Sequence, residues 1–195
     1  MIWTIILAAG ESKRTAQPKL LLPFGEKTII ETVMDNAASS KANYSLLVTG
    51  GFQEQIKQKT KGFPAITVYN PNYKQGMLSS VQMGFQSLPE GAQAAIVLLG
   101  DQPSISFQVI DNIIDAYLLT PKGIILPTFK KERGHPVLFD MKYKGEIAAL
   151  RPEVGLRGIV YGHPEDVHEV PVNTSSILRD IDNMQDYKRE LLSRT

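Results

Sequence analysis

Cysteine is absent from the 195 residues of this chain. Its absence excludes disulfide bonds, thiolate metal sites and a cysteine nucleophile within the chain, and it is compatible with a reducing compartment. An excess of one charge is also missing, because 21 basic residues stand against 20 acidic ones and the net charge is +1. A chain with nearly equal numbers of basic and acidic residues gives no indication of a nucleic-acid or membrane partner, so we expect neither.

Long hydrophobic runs are missing as well. The first apolar run, residues 2–6, is far too short to span a membrane and no basic segment precedes Ile2, so the cytoplasm is the default expectation. Linkers rich in Pro, Ser or Gly, internal repeats and low-complexity segments are also lacking. With 43% hydrophobic residues the chain can bury a full core, and we expect one domain over residues 1–195.

Short apolar runs alternate with amphipathic segments along the chain. This pattern predicts an α/β fold in which helices cover a mainly parallel sheet. The predicted strands are 3–8, 44–49, 66–70, 94–99, 123–127, 136–139 and 168–171. The predicted helices are 29–39, opened by a capping box, 53–61, 79–87, 106–119 and 183–192. Residues 123–139 have a polar centre and indicate a hairpin, so we expect the sheet to be mixed.

The loop after the first predicted strand combines small residues with cations. Ala8, Ala9 and Gly10 have little or no side chain, so a nucleotide can approach the backbone closely. Arg14 supplies a planar fork of donors, and Lys19 a mobile charge, for phosphate oxygens. The Walker pattern and the dinucleotide-binding G-x-G-x-x-G pattern are both absent. We interpret the loop as a polyphosphate site; the alternative is an ordinary strand-to-helix connection with surface cations.

A second chemical feature is the unbroken apolar run 94–99, which is followed by Gly100 and Asp101. Such a run is typical of a central parallel strand that is buried on both faces. A carboxylate at its carboxyl end is in the expected position for a metal ligand, and Mg²⁺ is usually held by one or two carboxylates plus substrate phosphates. The alternative is an aspartate that caps a helix or a turn beside Pro103.

Residues 70–80 follow a predicted strand and lead into a helix. Gly76 permits a close approach of the backbone, while Ser79 and Ser80 supply hydroxyl groups and free amides near the helix N-terminus. These groups predict contacts to a base or a ribose, with Ser79 also capping the helix.

The three histidines of the chain have different surroundings. His163 and His168 lie among acidic residues next to a Gly-His-Pro turn, which favours a solvated loop over a metal site. His135 follows the basic segment 130–133 and is a candidate hydrogen-bond donor to a ligand phosphate. The alternative for His135 is an exposed histidine of a surface hairpin.

Taken together, these segments resemble the nucleotidyltransferase superfamily and, more narrowly, its molybdenum-cofactor cytidylyltransferase branch. The landmarks that carry the resemblance are Leu7-Ala8-Ala9-Gly10-x-Ser12-x-Arg14 with Lys19 and Leu21-Leu22-Pro23, Gly76-Met77-Leu78-Ser79-Ser80, Gly100-Asp101-Gln102-Pro103, Gly134-His135-Pro136-Val137, Gly155-Leu156-Arg157, and Asp180-Ile181-Asp182 with Asp186-Tyr187. The resemblance implies a Rossmann-like nucleotidyltransferase fold, a three-layer sandwich with helices on both faces of a twisted sheet. One departure is Thr15-Ala16, where the branch usually carries Met-Gly.

The resemblance also implies roles for individual residues. The catalytic residues would be Arg14, Lys19 and Asp101. The nucleotide-binding residues would be Leu7, Ala8, Ala9, Gly10, Arg14, Lys19, Gly76, Ser79 and Ser80. A divalent cation, Mg²⁺ or Mn²⁺, would be held by Asp101 and Asp182, although Asp182 also stands where the last helix needs a cap. The acceptor would contact Gly134, His135, Pro136 and Arg157. Arg157 would contact the phosphate of the acceptor; the alternative is an arginine on a helix surface.

The implied reaction is transfer of CMP from CTP to the phosphate of molybdenum cofactor, with release of pyrophosphate. Ala9 favours CTP over GTP, because the related guanylyltransferases typically have glycine at that position. A molybdenum hydroxylase would be the partner that receives the product. Two other functions stay open at this point. One is a cytidylyl- or uridylyltransferase that uses a sugar or polyol phosphate, and the other is a non-catalytic carrier of molybdenum cofactor.

Overall fold

The computed structural model describes residues 1–11 and 18–193. Within these residues eight strands form one sheet in the order β10-β7-β9-β6-β1-β4-β5, with β8 paired to β7, and β2 and β3 form a separate ribbon. The strands are β1 (Ile2–Ala8), β2 (Pro23–Phe24), β3 (Lys27–Thr28), β4 (Tyr44–Thr49), β5 (Ala65–Tyr69), β6 (Ala94–Leu99), β7 (Ile124–Phe129), β8 (Glu132–Arg133), β9 (Val137–Asp140) and β10 (Val167–Pro171).

Helices connect these strands. They are α1 (Ile29–Ala38), α2 (Gln53–Lys59), α3 (Met77–Gln86), α4 (Phe107–Leu119), α5 (Lys144–Ala149), α6 (Arg157–Gly162) and α7 (Met184–Leu192). The capping box that the sequence predicts for α1 is confirmed, since Thr28 Oγ1 accepts a hydrogen bond from Glu31 N and the Glu31 carboxylate accepts one from Thr28 N. None of the helices in the described residues is long and apolar enough to cross a membrane.

The sheet is mixed, as the sequence predicts. Strand β1 runs parallel to both β4 and β6, and β4 runs parallel to β5. Strand β9 is antiparallel to β6 and β7, whereas β10 is parallel to β7. The turn between β7 and β8 places Lys130 and Lys131 at positive φ angles of 50° and 71°, the conformation of a two-residue hairpin turn that follows the sheet twist.

Two apolar layers cover the sheet because the side chains of β1 alternate between its faces. Ile6 and Ala8 pack in a cluster with the apolar stripes of α1 and α4. Ile5 and Leu7 pack on the other face with residues of α3, α5 and α6. Full burial of one such aliphatic side chain stabilises the fold by about 1.5–3 kcal/mol. The predicted three-layer arrangement, with helices on both faces of a mostly parallel sheet, is confirmed.

The strands and helices predicted from sequence agree with the structure to within two residues at each end. The sequence patterns missed the ribbon of β2 and β3, strand β8, and helices α5 and α6. Each of these elements has six residues or fewer, which is too short for a periodic pattern to be recognised. His168 lies in strand β10, which agrees with the predicted strand 168–171 and not with the solvated loop suggested by the acidic residues around it.

Candidate active site

The carboxyl ends of β1 and β6 lie side by side at one edge of the sheet. Their parallel register pairs Leu7 with Leu99, so the loops that follow the two strands meet. Between them lies a cavity of about 210 Å³, which is lined by Leu7, Ala9, Gly10, Tyr73, Gly76, Met77, Ser80, Leu99, Gly100 and Asp101. Six residues that the sequence assigns to nucleotide or metal binding therefore share one cavity: Leu7, Ala9, Gly10, Gly76, Ser80 and Asp101.

One predicted residue of the first loop, Ala8, is placed differently. Ala8 is fully buried in the apolar layer beside α1 and does not line the cavity. This placement follows from the alternation of β1, since the neighbours of Ala8 at positions 7 and 9 face the cavity side. Arg14 and the unusual pair Thr15-Ala16 lie outside the described residues.

Lys19 brings a cation to the same edge. It opens a short 3₁₀ turn, Lys19–Leu21, and its Nζ donates a hydrogen bond of 2.7 Å to Asp101 Oδ2. The same ammonium lies 3.8 Å from Asp182 Oδ1. The side chains of Lys19, Asp101 and Asp182 are 14%, 24% and 48% exposed, so the pair with Asp101 is the more shielded from solvent. Three residues from distant parts of the sequence thus form one charged cluster.

The helix-capping roles that the sequence left open for the two aspartates are wrong. Helix α4 begins at Phe107 with Ser106 at its N-cap position, several residues after Asp101. Helix α7 is capped by Asn183, whose side chain accepts hydrogen bonds from Gln185 N and Asp186 N. Both carboxylates are therefore released from helix capping and contact Lys19 instead.

The donor set of this cluster fits a small divalent cation. In the described part of the chain, no group of three or more His, Cys, Asp or Glu side chains is arranged to hold a metal ion alone. Mg²⁺ does not need such a group, because it ordinarily takes one or two carboxylates from the protein and its other ligands from water and substrate phosphates. Asp101 and Asp182 supply hard oxygen ligands of that kind.

Asp180 belongs to the same acidic cluster, although we did not select it from the sequence as a site residue. The amide Nε2 of the buried Gln102 donates a hydrogen bond of 2.6 Å to Asp180 Oδ1. Burial, together with the nearby charge of Asp101, raises the pKa of the Asp180 carboxyl above its usual value. The sequence signal was the Asp-Ile-Asp alternation, because residues two apart in an extended segment point the same way.

Asn70 is a second residue that the sequence analysis missed, and it organises the serine pair. Its buried Nδ2 donates to Ser79 Oγ at 2.9 Å and to Ser80 Oγ at 3.0 Å. Helix α3 starts at Met77 with Gly76, at a φ of 104°, in the N-cap position, so the capping role we expected for Ser79 is wrong. Only Ser80 of the pair lines the cavity.

A second cavity of about 390 Å³ adjoins the first. Gly76, Met77 and Leu99 line both. The walls of the second cavity also include Gly134, His135 and Arg157, three of the four residues that the sequence assigns to the acceptor. The fourth, Pro136, is buried behind His135 and is not part of the lining.

His135 lies in the wall of this cavity and not at the tip of the hairpin. Its backbone N–H donates to Ile177 O at 2.9 Å. A Cβ on the preceding Gly134 would lie 2.3 Å from the same carbonyl oxygen, so the close approach requires glycine. The Nδ1 atom is buried and has no hydrogen-bond partner among the described residues. Burial lowers the pKa of the imidazole, against the opposing charges of Asp180 and Asp101.

Arg157 is the first residue of α6 and is exposed at the cavity wall. The other two histidines lie elsewhere. The ring of His163 is 2.8 Å from Glu146 and packs beside Tyr143, and neither His163 nor His168 lines the two cavities.

Similarity to known proteins identifies the family of this chain. Residues 4–167 match the family described as the MobA-like NTP transferase domain. The chain belongs to the MobA-like NTP transferase family. The matched residues include both cavity-lining loops of this transferase, while Asp180 and Asp182 follow the matched segment. The nucleotidyltransferase resemblance that we inferred from the motifs is confirmed.

Individual relatives agree with this assignment. The chain is 30% identical over 186 residues to the molybdenum cofactor cytidylyltransferase of Escherichia coli K12, covering 94% of this chain and 92% of the relative. The crystal structure of Rv0371c from Mycobacterium tuberculosis H37Rv superposes with a TM-score of 0.88 at 27% identity, covering 98% of this chain and 97% of the other. A manganese complex of the same mycobacterial protein gives a TM-score of 0.85 at 26% identity, covering 98% of each chain.

Proposed function

We propose that this nucleotidyltransferase transfers CMP from CTP to the phosphate of molybdenum cofactor and releases pyrophosphate. The observation that carries the proposal is the pair of adjoining cavities. The first is lined by small residues and by Asp101, whose carboxylate is paired with Lys19, and the second is a larger, mainly apolar cavity with Arg157 and His135 in its walls. The name of the Escherichia coli relative supports the same choice of nucleotide and acceptor.

The residues of the first cavity would act mainly by positioning and by neutralising charge. An oxygen of the acceptor phosphate attacks the α-phosphorus of CTP as the bond from that phosphorus to the bridging oxygen breaks, and pyrophosphate leaves with the bonding electrons. The ammonium of Lys19 stands where it can neutralise phosphate charge. A phosphate monoester is largely ionised near neutral pH, so the acceptor needs no general base.

Asp101 and Asp182 would hold the divalent cation, Mg²⁺ or Mn²⁺. When bound, the ion supplies positive charge to the phosphates and orients them. Both carboxylates lie close to the same ammonium, that of Lys19, so one cation could take both as ligands.

The choice of CTP over GTP is part of the proposal. Ala9 lies in the wall of the first cavity and is almost fully buried, so its methyl group restricts the space beside the nucleotide. Ser80 Oγ already accepts a bond from Asn70, which leaves its hydroxyl hydrogen to donate to a ligand. Calorimetry in the presence of Mg²⁺ is expected to show tighter binding of CTP than of GTP. Equal or reversed affinities would contradict this selectivity.

A pyrophosphate-release assay tests the reaction itself. Each of CTP, GTP, UTP and ATP is incubated with enzyme and Mg²⁺, with molybdenum cofactor, with a sugar phosphate, with a polyol phosphate, or with no acceptor. We expect pyrophosphate only with CTP and molybdenum cofactor. Release with a sugar or polyol phosphate would identify a different transferase, and stoichiometric retention of molybdenum cofactor without any pyrophosphate would identify a carrier. Delivery of the product to a molybdenum hydroxylase would be the following step.

A further inference from the structure

The second cavity has a wall residue that neither the sequence motifs nor the reaction above accounts for. Arg133 lines the cavity beside Gly134 and His135, yet its guanidinium is turned toward Glu169 of β10. Both Nε and Nη2 of Arg133 lie 2.8 Å from Glu169 Oε1. The two side chains are 42% and 44% exposed, so solvent reaches this ion pair at the cavity mouth.

The backbone presents both residues on the cavity side of the sheet. Arg133 is directly opposite Thr128 in the β7–β8 hairpin, and Glu169 is opposite Leu126 in the β7–β10 pair. Because residues two apart in a strand share a face, Thr128 and Leu126 place Arg133 and Glu169 on the same face of β7. Leu126 itself lines the cavity. The ion pair therefore lies over the cavity wall.

We infer that Arg133 binds the phosphate of the acceptor and that Glu169 is a counter-ion which the phosphate displaces. This inference rests on the proposed function, because it assigns a phosphate monoester to the second cavity. An exposed Arg–Glu pair contributes little to stability, because solvent screens the two charges. A phosphate dianion offers the guanidinium two parallel, charge-assisted hydrogen bonds, which are stronger. We therefore expect a phosphate to replace the Glu169 carboxylate beside the guanidinium of Arg133.

The remaining lining indicates what the phosphate is attached to. Val81, Leu126, Val137 and Phe139 contribute an apolar wall, which suits a planar aromatic body better than a polyhydroxylated sugar. The ligand class is therefore an aromatic molecule with a phosphate monoester. Glu169 would hold the guanidinium at the mouth of the cavity until such a ligand enters.

Direct binding of a fluorescent aryl phosphate, 4-methylumbelliferyl phosphate, tests the inference without turnover. The matched probe is 4-methylumbelliferone, which has the same ring system and no phosphate. Arg133→Gln is expected to weaken binding of the phosphate probe about tenfold or more, the scale of a lost charge-assisted contact, and to leave the phenol unchanged. Glu169→Gln is expected to act in the opposite direction. It should tighten binding of the phosphate probe about two- to fivefold, because the competing carboxylate is gone.

Lys131→Gln is the matched control, since it removes one positive charge from the same hairpin at a residue that does not line the cavity. It should change neither probe's affinity by more than about twofold, as expected for a screened surface charge. Arg133→Lys keeps the positive charge but loses the planar pair of donors, so its affinity for the phosphate probe should lie between those of Arg133→Gln and the wild type. If Arg133→Gln destabilises the hairpin, Arg133→Lys and Glu169→Gln still test the inference.

Three results would overturn the inference: no measurable binding of the phosphate probe to the wild type, equal effects of Arg133→Gln on both probes, or weaker binding of the phosphate probe after Glu169→Gln. The proposed function fails separately, in the pyrophosphate assay. If the protein binds the phosphate probe through Arg133 but does not react with molybdenum cofactor, the phosphate subsite stands and the acceptor is a different molecule. If it reacts with molybdenum cofactor but shows none of the Arg133 effects, the proposed function stands and the subsite is wrong.

Discussion

Lys19 Nζ lies 2.7 Å from Asp101 Oδ2, although 82 residues separate the two along the chain. The ammonium comes from the turn after the β1 loop and the carboxylate from the end of β6. Each charge neutralises the other. We expect Lys19 to contact phosphate oxygens of a bound nucleotide and Asp101 to be a ligand of the divalent cation.

Asp101→Ala should abolish turnover while the fold persists, because the residue lies at a strand end and outside the apolar layers. Activity against Mg²⁺ concentration, together with thermal unfolding, measures both effects. Asp115→Ala is the control, since Asp115 is an exposed carboxylate that pairs with Lys41 away from the site. Near-normal turnover by a folded Asp101→Ala protein at low Mg²⁺ would remove Asp101 from metal binding.

Lys19→Ala should lower kcat by about 10²-fold or more, the scale of one lost electrostatic contact to a transition state. The cation matters most as charge moves toward the departing pyrophosphate. Steady-state kinetics with CTP and acceptor varied in turn give the value. Lys27→Ala, which removes an exposed ammonium paired with Asp35, should leave kcat unchanged. A Lys19→Ala enzyme altered only in its KM for the acceptor would assign Lys19 to the other cavity.

Gly10→Ala and Gly50→Ala should separate an effect on CTP binding from an effect on the stability of the fold. Among the described residues, no heavy atom lies within 4 Å of a Cβ on Gly10, whereas a Cβ on Gly50 would lie 2.6 Å from Ala9 O and 2.7 Å from Tyr73 Cβ. Gly50→Ala should therefore destabilise the protein by about 1–3 kcal/mol. Gly10→Ala should leave stability within about 0.5 kcal/mol of wild type and weaken CTP binding, because its methyl group enters the nucleotide cavity.

Thermal unfolding and calorimetric titration with CTP measure these two effects. Unchanged CTP affinity in Gly10→Ala would show that the nucleotide does not approach the backbone there.

His135→Ala should raise KM for the acceptor and leave KM for CTP nearly unchanged, since binding in the second cavity is lost while the nucleotide contacts persist. His135 lies in the wall of that cavity together with Gly134 and Arg157. Kinetics with each substrate varied separately test the assignment. A defect confined to CTP would show that the acceptor cavity is wrongly placed.

The lowered pKa of His135 predicts a pH dependence of stability. Burial makes the folded protein bind this proton less readily than the unfolded chain, in which the pKa of histidine is about 6.5. The stability contributed by the neutral ring is therefore complete above about pH 6.5 and is lost as the pH falls from there through the folded-state pKa.

Urea unfolding of the wild type and of His135→Asn between pH 7.5 and 5.5 measures this effect. The difference in free energy of unfolding between the two proteins should shift in favour of the variant as the pH falls. A difference that stays constant over this range would contradict the prediction.

Most strands and helices of the fold could be predicted from local sequence patterns. Runs such as 44–49 and 94–99 are strands at the predicted residues, because burial on both faces of a sheet demands a continuous apolar segment. Helices of six residues, such as α5 and α6, gave no comparable signal. The cap predicted at Ser79 is wrong for a local reason. A serine near a helix start is usually a cap, but here Ser79 Oγ accepts a hydrogen bond from Asn70 Nδ2 and Gly76 has the N-cap position.

Most strands and helices, the small-residue loop and the charged residues beside it can be recognised from the sequence, because they depend on neighbours along the chain. The contacts of Lys19 with Asp101 and Asp182, the hydrogen bond from Asn70 to Ser80, and the position of His135 in the wall of a cavity shared with Gly76 are set by the tertiary structure. Those contacts depend on β1 lying between β4 and β6, and on β9 joining β6 to β7. Strand order and register set such distances, and local composition does not specify them.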